Sequence, residues 1–496
     1  MAVPKIVGIE TEYGVALRGA PDPNPVIASS LLINGYVEQH RVGWDFEDES
    51  PGRDARGFAR DGSQPPEVET HLVNAVLTNG ARYYVDHAHP EYSTPECSDP
   101  MQAVLFDKAG ERILARSMDA ARQLLPSGQE IVVYKNNSDG KGNSYGCHEN
   151  FLVDRAVPFA TLVRNLIPWF VTRQLFTGAG KVGSENGADT VDFQISQRAD
   201  FFEEEVGLET TLKRPIVNTR DEPHADPQKY RRLHVIVGDA NLCEVATFLK
   251  VGATAIVLAM IEDGFIDKDL SISGPVPAMR AVSHDPTCRA TVDVTSLGRC
   301  SAIDVQWEFL RLARKYADES GLEACGGDEI GTQVLDRWEH VLNALERDPT
   351  ELDGQLDWVT KFNLLRAYVD RDGLSWTDPK LSLLDLQYHD VRPARSLYER
   401  LVRAGKVERL LDEAAVRTAM VDPPETTRAY FRGTCLARWA DSVVAANWDS
   451  LVLDVGSDPL RRIPMMEPTR GSKLHVAQLF TEVSTPRQLV ERLASP

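Results

Sequence analysis

The residues most able to do chemistry lie in RYYVDHAHPEYSTPECSDP, residues 82–100. This short segment carries four carboxylates and two histidines beside a single basic side chain, Arg82. Its acidic residues are Asp86, Glu91, Glu96 and Asp99. Because neighbouring like charges disfavour each other's ionised form, we expect a cation to hold this segment together. A second acidic pair, Glu10 and Glu12 in GIETEYG, has the spacing of two side chains on one face of a strand.

Four predicted strands each present polar side chains on one face. Side chains alternate across a strand, so residues two apart share a face and lie roughly 7 Å apart. By this rule the shared faces are Glu10 with Glu12; Arg82 with Tyr84 and Asp86; His148 with Asn150; and Arg232 with His234. Carboxylates with an occasional imidazole suit Mg²⁺ or Mn²⁺, whereas zinc favours tighter groups of cysteine and histidine. These faces therefore predict a site for a hard divalent cation.

The arginines on these faces extend the prediction to a nucleotide. Phosphate groups need this combination, since a metal ion bridges phosphate oxygens and arginine neutralises the remaining charge. The sequence contains no G-x-x-x-x-G-K-[ST] loop, and the polar strand faces favour a carboxylate-rich nucleotide site built on a sheet. Each piece taken alone also has a structural interpretation. An E-x-E strand often presents a solvated face, and a lone histidine on a strand is often a core residue. Trp448 could simply pack against its neighbours.

The length, charge and composition limit the classes of protein to which the chain can belong. At 496 residues the chain is longer than a single core usually supports. Its net charge of −20 argues against nucleic-acid binding, which needs a basic face. The seven cysteines form no C-x-x-C pair, as expected of reduced thiols. With no apolar signal-peptide core, and with an apolar stretch at 251–261 too short to cross a bilayer, we expect a soluble, cytoplasmic protein that does not bind membranes.

The elements that must position these residues follow from hydrophobic periodicity. Strands are predicted at residues 5–17, 80–88, 130–137, 144–153, 230–241 and 447–456. The third and fourth of these are predicted to form a β-hairpin. Helices are predicted near residues 99–124, 157–176 and 244–263, and over most of 300–420. The charged, Gly- and Pro-rich stretch at 40–71 lacks periodicity, and a loop of this length is usually functional or disordered.

Strands that project carboxylates or histidines from one face, with helices packed behind them, predict an α+β fold. We expect a large N-terminal catalytic domain over residues 1–424, with an inserted loop at about 40–75. A small C-terminal α+β domain over residues 425–496 would follow. The expected boundary lies at Pro423-Pro424, because paired prolines interrupt regular structure.

Ten blocks, in order along the chain, resemble the Pup ligase/depupylase family. They include GIETEYG (8–14), NGARYYVDHAHPEYSTPEC (79–97), FQISQRAD (193–200), KYRRLHVIVGDAN (229–241) and NWDSL (447–451). The resemblance covers nearly the whole chain, and the ordered set is far more specific than any one block. It implies the carboxylate-amine ligase fold of glutamine synthetase, an antiparallel sheet cradle backed by helices.

Within this family the chain resembles the depupylase/deamidase branch. The stretch WDFEDESPGRDARGF (44–58) is similar to a loop of that branch that the ligases lack. VDHAHPEYSTPEC has the spacing of that branch, and EVGLETTLKRPIVNTRDEPHAD (205–226) also resembles it. The resemblance implies hydrolysis of the C-terminal glutamine side-chain amide of Pup to glutamate. It also implies cleavage of the isopeptide bond between that glutamate and a substrate lysine.

The resemblance assigns a role to each polar face. The implied metal ligands are Glu10, Glu12, Tyr84, Glu91, His148 and His234. The implied nucleotide contacts are Arg82, Ser93, Thr94, Arg232 and Trp448. Asp86 matches the essential aspartate. The implied cofactors are Mg²⁺ and ATP, or ADP with phosphate, and the implied partners are Pup and pupylated proteins.

The residues leave the mechanism and the reaction class open. Asp86 could attack the amide carbonyl to form an anhydride, or act as the base on a water molecule. The first alternative function is a Pup–protein ligase that activates the glutamate of Pup with ATP. The others are a non-catalytic Pup- or nucleotide-binding adaptor and a small-molecule glutamate–amine ligase. Because amide hydrolysis needs no ATP energy, a hydrolase would hold the nucleotide as a cofactor.

Overall fold

The computed structural model describes residues 1–37, 42–46, 49–50, 52–57 and 73–494. The strands in these ranges are β1 (Val7–Glu12), β2 (Gly14–Arg18), β3 (Val42–Trp44), β4 (Asn74–Val76), β5 (Arg82–Asp86), β6 (His89–Ser93), β7 (Glu130–Tyr134), β8 (Cys147–Asp154), β9 (Lys181–Val182), β10 (Phe193–Gln194), β11 (Phe202–Gly207), β12 (Arg214–Asn218), β13 (Tyr230–Val235), β14 (Thr291–Val294), β15 (Gly298–Ser301), β16 (Val443–Ala446), β17 (Ser450–Leu453) and β18 (Arg461–Pro464). The helices are α1 (Pro25–Val37), α2 (Pro100–Ala121), α3 (Phe159–Thr177), α4 (Glu244–Glu262), α5 (Pro275–Ser283), α6 (Ala302–Ser320), α7 (Asp328–Arg347), α8 (Asp357–Asp372), α9 (Pro379–Tyr388), α10 (Leu397–Arg403), α11 (Glu413–Ala419), α12 (Ala429–Trp439), α13 (Lys473–Glu482) and α14 (Pro486–Ala494).

The largest sheet has ten strands within the described ranges, in the order β13-β8-β1-β6-β5-β4-β3-β16-β17-β18. Its neighbouring strands run antiparallel, except that β16 and β3 run parallel. The other described strands form the pairs β2-β7, β9-β10, β11-β12 and β14-β15. This mixed architecture, a large sheet backed by helices, is the α+β fold that the sequence predicts.

The two faces of the sheet differ in burial. In β1, Val7, Ile9 and Thr11 are buried, whereas Glu10 and Glu12 on the opposite face are partly exposed. Strand β5 shows the same alternation. Helices α1, α2 and α4 pack against the central strands and bury the apolar face. The polar face is therefore left to build a site.

Helix α4 is the most apolar element and lies in the core. By length and composition it could cross a membrane, but its whole apolar window is buried inside the protein. The stretch at 251–261 thus lies within a buried helix, and the predicted helix near 244–263 is confirmed. The prediction for α2 is also close: the helix begins after Asp99, whose side chain caps the backbone N–H of Gln102.

The C-terminal segment continues the main sheet through β16, β17 and β18. A second group of buried apolar residues joins this segment to earlier parts of the chain. In that group Val42, Trp44 and Val76 pack with residues that include Phe431 and Leu451. Both expected domains thus contribute to the second core. The division at residue 424 stays a prediction.

One predicted strand pairing and the extent of one predicted strand are wrong. The predicted turn is present, closed by an antiparallel bridge between Ser138 and Ser144. The strands on either side of it do not pair with each other, because β7 pairs with β2 while β8 lies between β1 and β13. The connection between them is fastened instead to Glu185, which accepts hydrogen bonds from the Ser138 hydroxyl and, at 3.1 Å, from the Gly142 N–H. The stretch 5–17 forms two strands, which separate at the fully buried Tyr13.

Two loops have notable sequences. GAGKVG at 178–183 has the glycine spacing of a dinucleotide-binding loop, but it follows the end of α3 instead of joining a strand to a helix. Much of the expected insertion at 40–75 lies outside the described residues. In its described part, the Asp54 carboxylate accepts a hydrogen bond from the Thr219 hydroxyl at 2.8 Å.

Candidate active site

The main sheet aligns the predicted polar faces in adjacent rows. In one row Glu10 lies opposite His148 on β8 and opposite Ser93 on β6. Ser93 in turn lies opposite Arg82 on β5. Directly opposed residues of antiparallel strands point to the same side of a sheet. Four residues from four strands therefore share one surface.

The next row brings more of the predicted residues together. Glu12 lies opposite Glu91, and Glu91 lies opposite Tyr84. Asp86 is the last residue of β5 and lies opposite His89. These side chains lie on the same face as the first row, because each is two residues along its strand. The register thus produces the convergence that the sequence could only predict.

Glu10, His148 and His234 form what we call the imidazole cluster. One potential ligand atom from each lies within 4.8 Å of the others. His148 Nδ1 is 3.5 Å and His234 Nε2 is 3.8 Å from Glu10 Oε2. Burial would raise the pKa of Glu10, but the two imidazoles and the charge of Arg232 hold that pKa well below its ordinary value. Glu10 is therefore an ionised carboxylate facing two histidines.

His234 has the clearest sign of an incomplete site. Its side chain is 2% exposed, and neither ring nitrogen has a hydrogen-bond partner among the described residues. Burial, with the nearby charge of Arg232, lowers the pKa of His234 to about 3, so the ring is neutral. Leaving buried polar atoms unpaired is costly, and a neutral imidazole is a common metal ligand. The donors of the imidazole cluster therefore fit a divalent cation.

Glu12, Asp86 and Glu91 form the carboxylate cluster, again with one oxygen from each within 4.8 Å of the others. Burial and the neighbouring carboxylates raise the pKa of Glu91 well above its ordinary value. Burial also acts against ionisation of Asp86, but His87, whose Nδ1 is 3.0 Å away, contributes to a lowered pKa. The Asp86 side chain is 39% exposed, so a substrate can reach it. A cation would relieve the repulsion in this cluster.

Tyr84 supports the carboxylate cluster through a hydrogen bond from its hydroxyl to Glu91 Oε1. Burial and the charge of Glu91 raise the pKa of Tyr84 well above its ordinary value. The phenol is therefore neutral and would offer a metal only a hydroxyl oxygen. Its role as a metal ligand stays a prediction.

Gly146 allows the two clusters to approach each other. A Cβ at this position would lie 2.3 Å from His148 Nε2 and 2.9 Å from Glu12 Oε1. Any larger residue would displace a predicted ligand from each cluster. We did not predict a role for Gly146, and its only signal in the sequence is a glycine two residues before a candidate ligand.

A largely apolar cavity of ≈ 80 Å³ borders the imidazole cluster. Four of the residues with predicted nucleotide contacts line it, together with Glu10: these are Ser93, Thr94, Arg232 and Trp448. The Thr94 hydroxyl accepts a hydrogen bond from the Ile9 N–H at 3.0 Å, which fixes its side chain at the wall. The cavity therefore offers apolar surface beside polar groups, as expected of a small-molecule site.

Arg82 is held by aromatic rings. Its guanidinium lies 4.0 Å from the Trp44 ring and 3.9 Å from the Tyr84 ring. Its Nε also donates a hydrogen bond to Asn74 at 3.0 Å. The Trp44 ring makes an edge contact with Trp448, at 5.2 Å between centroids. Trp44 thus links two predicted nucleotide contacts, a role that the sequence did not reveal.

Arg232 is held by polar groups. Its Nη1 donates a hydrogen bond to Asn150 Oδ1 at 2.6 Å and lies 3.7 Å from Glu10 Oε1. Its Nη2 lies 3.7 Å from Glu222 Oε2. Asn150 also donates to Glu10 at 2.9 Å. Asn150 was placed on this face by its spacing, but Glu222 carried no recognisable signal.

A profile of the family described as Pup-ligase protein matches residues 5–452. The chain belongs to this family. The match spans the strands that carry both clusters, and it includes Trp448 at the cavity. The assignment agrees with the ordered blocks of the sequence.

Individual relatives match over nearly their full length. The chain is 55% identical to a depupylase of Acidothermus cellulolyticus, over 99% of each protein. It is 48% identical to the Pup deamidase/depupylase of Mycolicibacterium smegmatis, over 99% of this chain and 100% of the relative. Identity to a Pup–protein ligase of Nocardioides sp. is 43%, over 96% of this chain and 99% of the ligase.

Two solved structures share the fold. The complex between the prokaryotic ubiquitin-like protein Pup and its ligase PafA matches with a TM-score of 0.81 and 33% identity, over 99% of this chain and 94% of the other. PafA in complex with ADP matches with a TM-score of 0.75 and 37% identity, over 82% of this chain and 90% of the other.

Proposed function

We propose that this protein is a Pup deamidase and depupylase. It would hydrolyse the C-terminal glutamine side-chain amide of Pup to glutamate, and cleave the isopeptide bond that joins this glutamate to a substrate lysine. The observation that carries the proposal is that the depupylases are more similar in sequence to this chain than the ligases are. The relatives named for depupylation or deamidation match at 47–55%, and the ligases at 39–43%.

One site can serve both reactions because both bonds are carboxamides at the same carbon. Asp86 is the group best placed to start the chemistry, since it is ionised, partly exposed and at the end of a strand. It would attack the carbonyl carbon or remove a proton from the attacking water. Water then supplies the oxygen of the new carboxylate, and ammonia or the lysine amine leaves with a proton.

Each cofactor has a proposed set of residues. Glu10, His148 and His234, with Glu12, Tyr84 and Glu91, would hold Mg²⁺. Arg82, Ser93, Thr94, Arg232 and Trp448 would hold ATP, or ADP with phosphate. When bound, the cation and the arginines supply positive charge that stabilises oxyanion character at the carbonyl. The unpaired His234 and the crowded carboxylate cluster support the metal, and the adjoining cavity supports the nucleotide.

The proposed partners are Pup and pupylated proteins, which would be met in the cytoplasm. The match to the PafA–Pup complex over nearly the whole chain supports Pup as a partner. Scattered, unpaired cysteines support a reducing compartment, since all seven are free thiols.

The test is intact-mass spectrometry of Pup ending in glutamine, incubated with the protein, Mg²⁺ and ATP, with ADP measured in parallel. We expect a mass increase of about 1 Da, because an NH₂ group is replaced by OH, without matching ADP release. Pupylated protein added in place of Pup should release free Pup and intact substrate.

A ligase would give the opposite result in the same assay. Pup ending in glutamine would remain unchanged, and Pup ending in glutamate would become joined to lysine in step with ADP formation. A non-catalytic adaptor would bind Pup or nucleotide and convert neither. Either result would overturn the proposal.

A further inference from the structure

The turn that follows Asp86 has an unusual backbone. Strand β5 ends at Asp86 and β6 begins at His89, so His87 and Ala88 form a two-residue hairpin turn. His87 has a φ of 52°, in the left-handed region that disfavours residues with a Cβ. Glycine, asparagine or aspartate is usual at this first position of a tight hairpin turn. A histidine here costs conformational energy, and such strained residues cluster at functional sites.

Other contacts hold the turn in place. The Ser29 hydroxyl donates a hydrogen bond to the Ala88 carbonyl at 2.8 Å. His89 Nδ1 lies 3.0 Å from the Tyr13 carbonyl oxygen and must be the donor, because a carbonyl oxygen only accepts. The His89 ring also stacks on the Tyr145 ring, with 4.5 Å between centroids. None of these three anchors uses the imidazole of the strained residue.

The His87 imidazole contacts Asp86 instead. Its Nδ1 lies 3.0 Å from Asp86 Oδ2. An ionised carboxylate can only accept, so Nδ1 carries the proton and donates it to this hydrogen bond. Burial raises the pKa of Asp86, but the hydrogen bond from His87 helps to bring that pKa below its ordinary value. One oxygen of the carboxylate is thereby held, and the other is left to react.

Asp86 has few other groups to fix its direction. Its side chain is 39% exposed and stands at the end of β5. In the part of the chain that the structure describes, no lysine or arginine nitrogen lies within 4.0 Å of its carboxylate. Glu12 and Glu91 share the carboxylate cluster with it, and like charges repel. A side chain free to rotate would turn away from these two carboxylates, and the hydrogen bond from His87 opposes that rotation.

We propose that His87 is a positioning residue, which holds the Asp86 carboxylate in the orientation needed to attack the amide carbonyl or to activate water. This inference rests on the proposed function and adds to it a residue through which Asp86 acts. Orientation matters to the rate, since a misplacement of about 1 Å can cost about 100-fold. An ordinary exposed ion pair would contribute little, and it would give no reason for the strained backbone.

The main experiment replaces His87 by glycine. We measure kcat and KM for deamidation of Pup ending in glutamine, with Mg²⁺ and ATP, together with the urea midpoint of unfolding. His87→Gly should lower kcat by about 10- to 100-fold with little change in KM, because the carboxylate loses its orientation while the groups that bind substrate are unchanged. The urea midpoint should not fall, since glycine adopts a positive φ without strain.

His87→Asn is the conservative variant. Asparagine tolerates a positive φ, and its side-chain Nδ2 can replace the imidazole Nδ1 as the donor to Asp86. This variant should therefore recover most of the lost kcat. Asn186→Gly is the matched control, because Asn186 is exposed and has a φ of 56°. It belongs to neither cluster, so its replacement should leave kcat and KM unchanged.

The possible outcomes separate this inference from the proposed function. If the wild-type protein does not deamidate Pup, the proposed function fails and this inference fails with it. If it does, and His87→Gly keeps the wild-type kcat, the function stands and His87 does not position Asp86. If His87→Asn is as slow as His87→Gly, a hydrogen-bond donor is not what the reaction needs, and the inference is wrong. A fall in the urea midpoint that accompanies the loss of kcat would make the role structural and would also overturn it.

Discussion

Two regions of this protein bury charge in opposite ways. Behind the sheet, Asp107, Lys108, Glu111 and Lys135 form what we call the α2 network. Lys135 Nζ lies 2.6 Å from Asp107 and 2.8 Å from Glu111, and Lys108 Nζ lies 2.9 Å from Glu111. Burial opposes ionisation of Glu111, but the two lysines outweigh it and lower its pKa to about 2. Each acid here has a cation from the same chain.

The carboxylate cluster on the polar face lacks neighbouring lysines and arginines of this kind among the described residues. In the described residues, no lysine or arginine nitrogen lies within 4.0 Å of Glu12 or Glu91, and Asp86 is paired only with His87. The pKa of Glu91 is accordingly raised, where that of Glu111 is lowered. Groups of carboxylates in the two regions therefore have different roles. The α2 network stabilises the fold, whereas the carboxylate cluster is left to receive ligands.

The largest expected effect comes from Asp86→Asn, which changes the carboxylate cluster alone. Deamidation of Pup should slow by at least about 10³-fold, because the variant has neither a nucleophile nor a base. The free energy of unfolding should change little, because the variant removes a charge that repels Glu91 but also loses the ion pair with His87. Rates from mass spectrometry and urea denaturation check both parts. Residual activity above a few per cent would exclude Asp86 from both catalytic roles.

Lys135→Met makes the complementary change in the α2 network. It leaves Asp107 and part of Glu111 buried without a cation, which should lower the free energy of unfolding by about 3–5 kcal/mol. Activity per folded molecule should be retained, because the network lies behind the sheet. Urea denaturation followed by circular dichroism measures the loss. An unchanged midpoint would contradict the view that this network stabilises the fold.

The polar faces were predicted correctly from the sequence, because the alternation of side chains along a strand is a local property. It predicted that Glu10 with Glu12, and Tyr84 with Asp86, share faces, and the register confirms this. It failed where pairing is non-local. Nothing in the stretch at 130–153 indicates that β7 pairs with β2 while β8 pairs with β1 and β13.

The same limit explains which site features were missed. Gly146, Trp44 and Glu222 act through residues distant in sequence, so their spacing carries no signal. The extent of the second core, shared between residues 42–76 and the C-terminal segment, depends on a pairing between β3 and β16 that sequence periodicity cannot reveal.

Glu96→Gln tests a third group of buried charges, in which arginines of the same chain neutralise a carboxylate. Glu96 lies 2.7 Å from Arg428 and accepts a further hydrogen bond from Arg432. Burial opposes ionisation, but the two arginines lower the pKa of Glu96 from 4.5 to about 2. Because the folded-state pKa is depressed, this stability is present above pH 4.5 and is lost as the pH falls toward 2. At pH 7 the variant should lose about 3 kcal/mol of unfolding free energy.

Urea denaturation of wild type and Glu96→Gln between pH 7 and pH 3 measures this dependence. The difference between the two proteins should shrink steadily below pH 4.5, the ordinary pKa of the carboxyl. A difference that stays constant with pH would mean that Glu96 acts through packing and not through its charge.

The smallest effect compares two histidines that differ in their partners. Neither ring nitrogen of His234 has a hydrogen-bond partner among the described residues, and its Nε2 lies 3.8 Å from Glu10 Oε2, whereas His284 Nε2 lies 2.8 Å from Asp200 Oδ1. His234→Ala should weaken binding of Mn²⁺, measured by isothermal titration calorimetry, by about 10- to 100-fold. His284→Ala should cost stability through its lost hydrogen bond and leave Mn²⁺ binding unchanged. If the two variants bind Mn²⁺ alike, His234 is a residue of the core and not a metal ligand. The contrast with the α2 network, whose acids are neutralised by lysines of the same chain, would then apply to the carboxylate cluster alone.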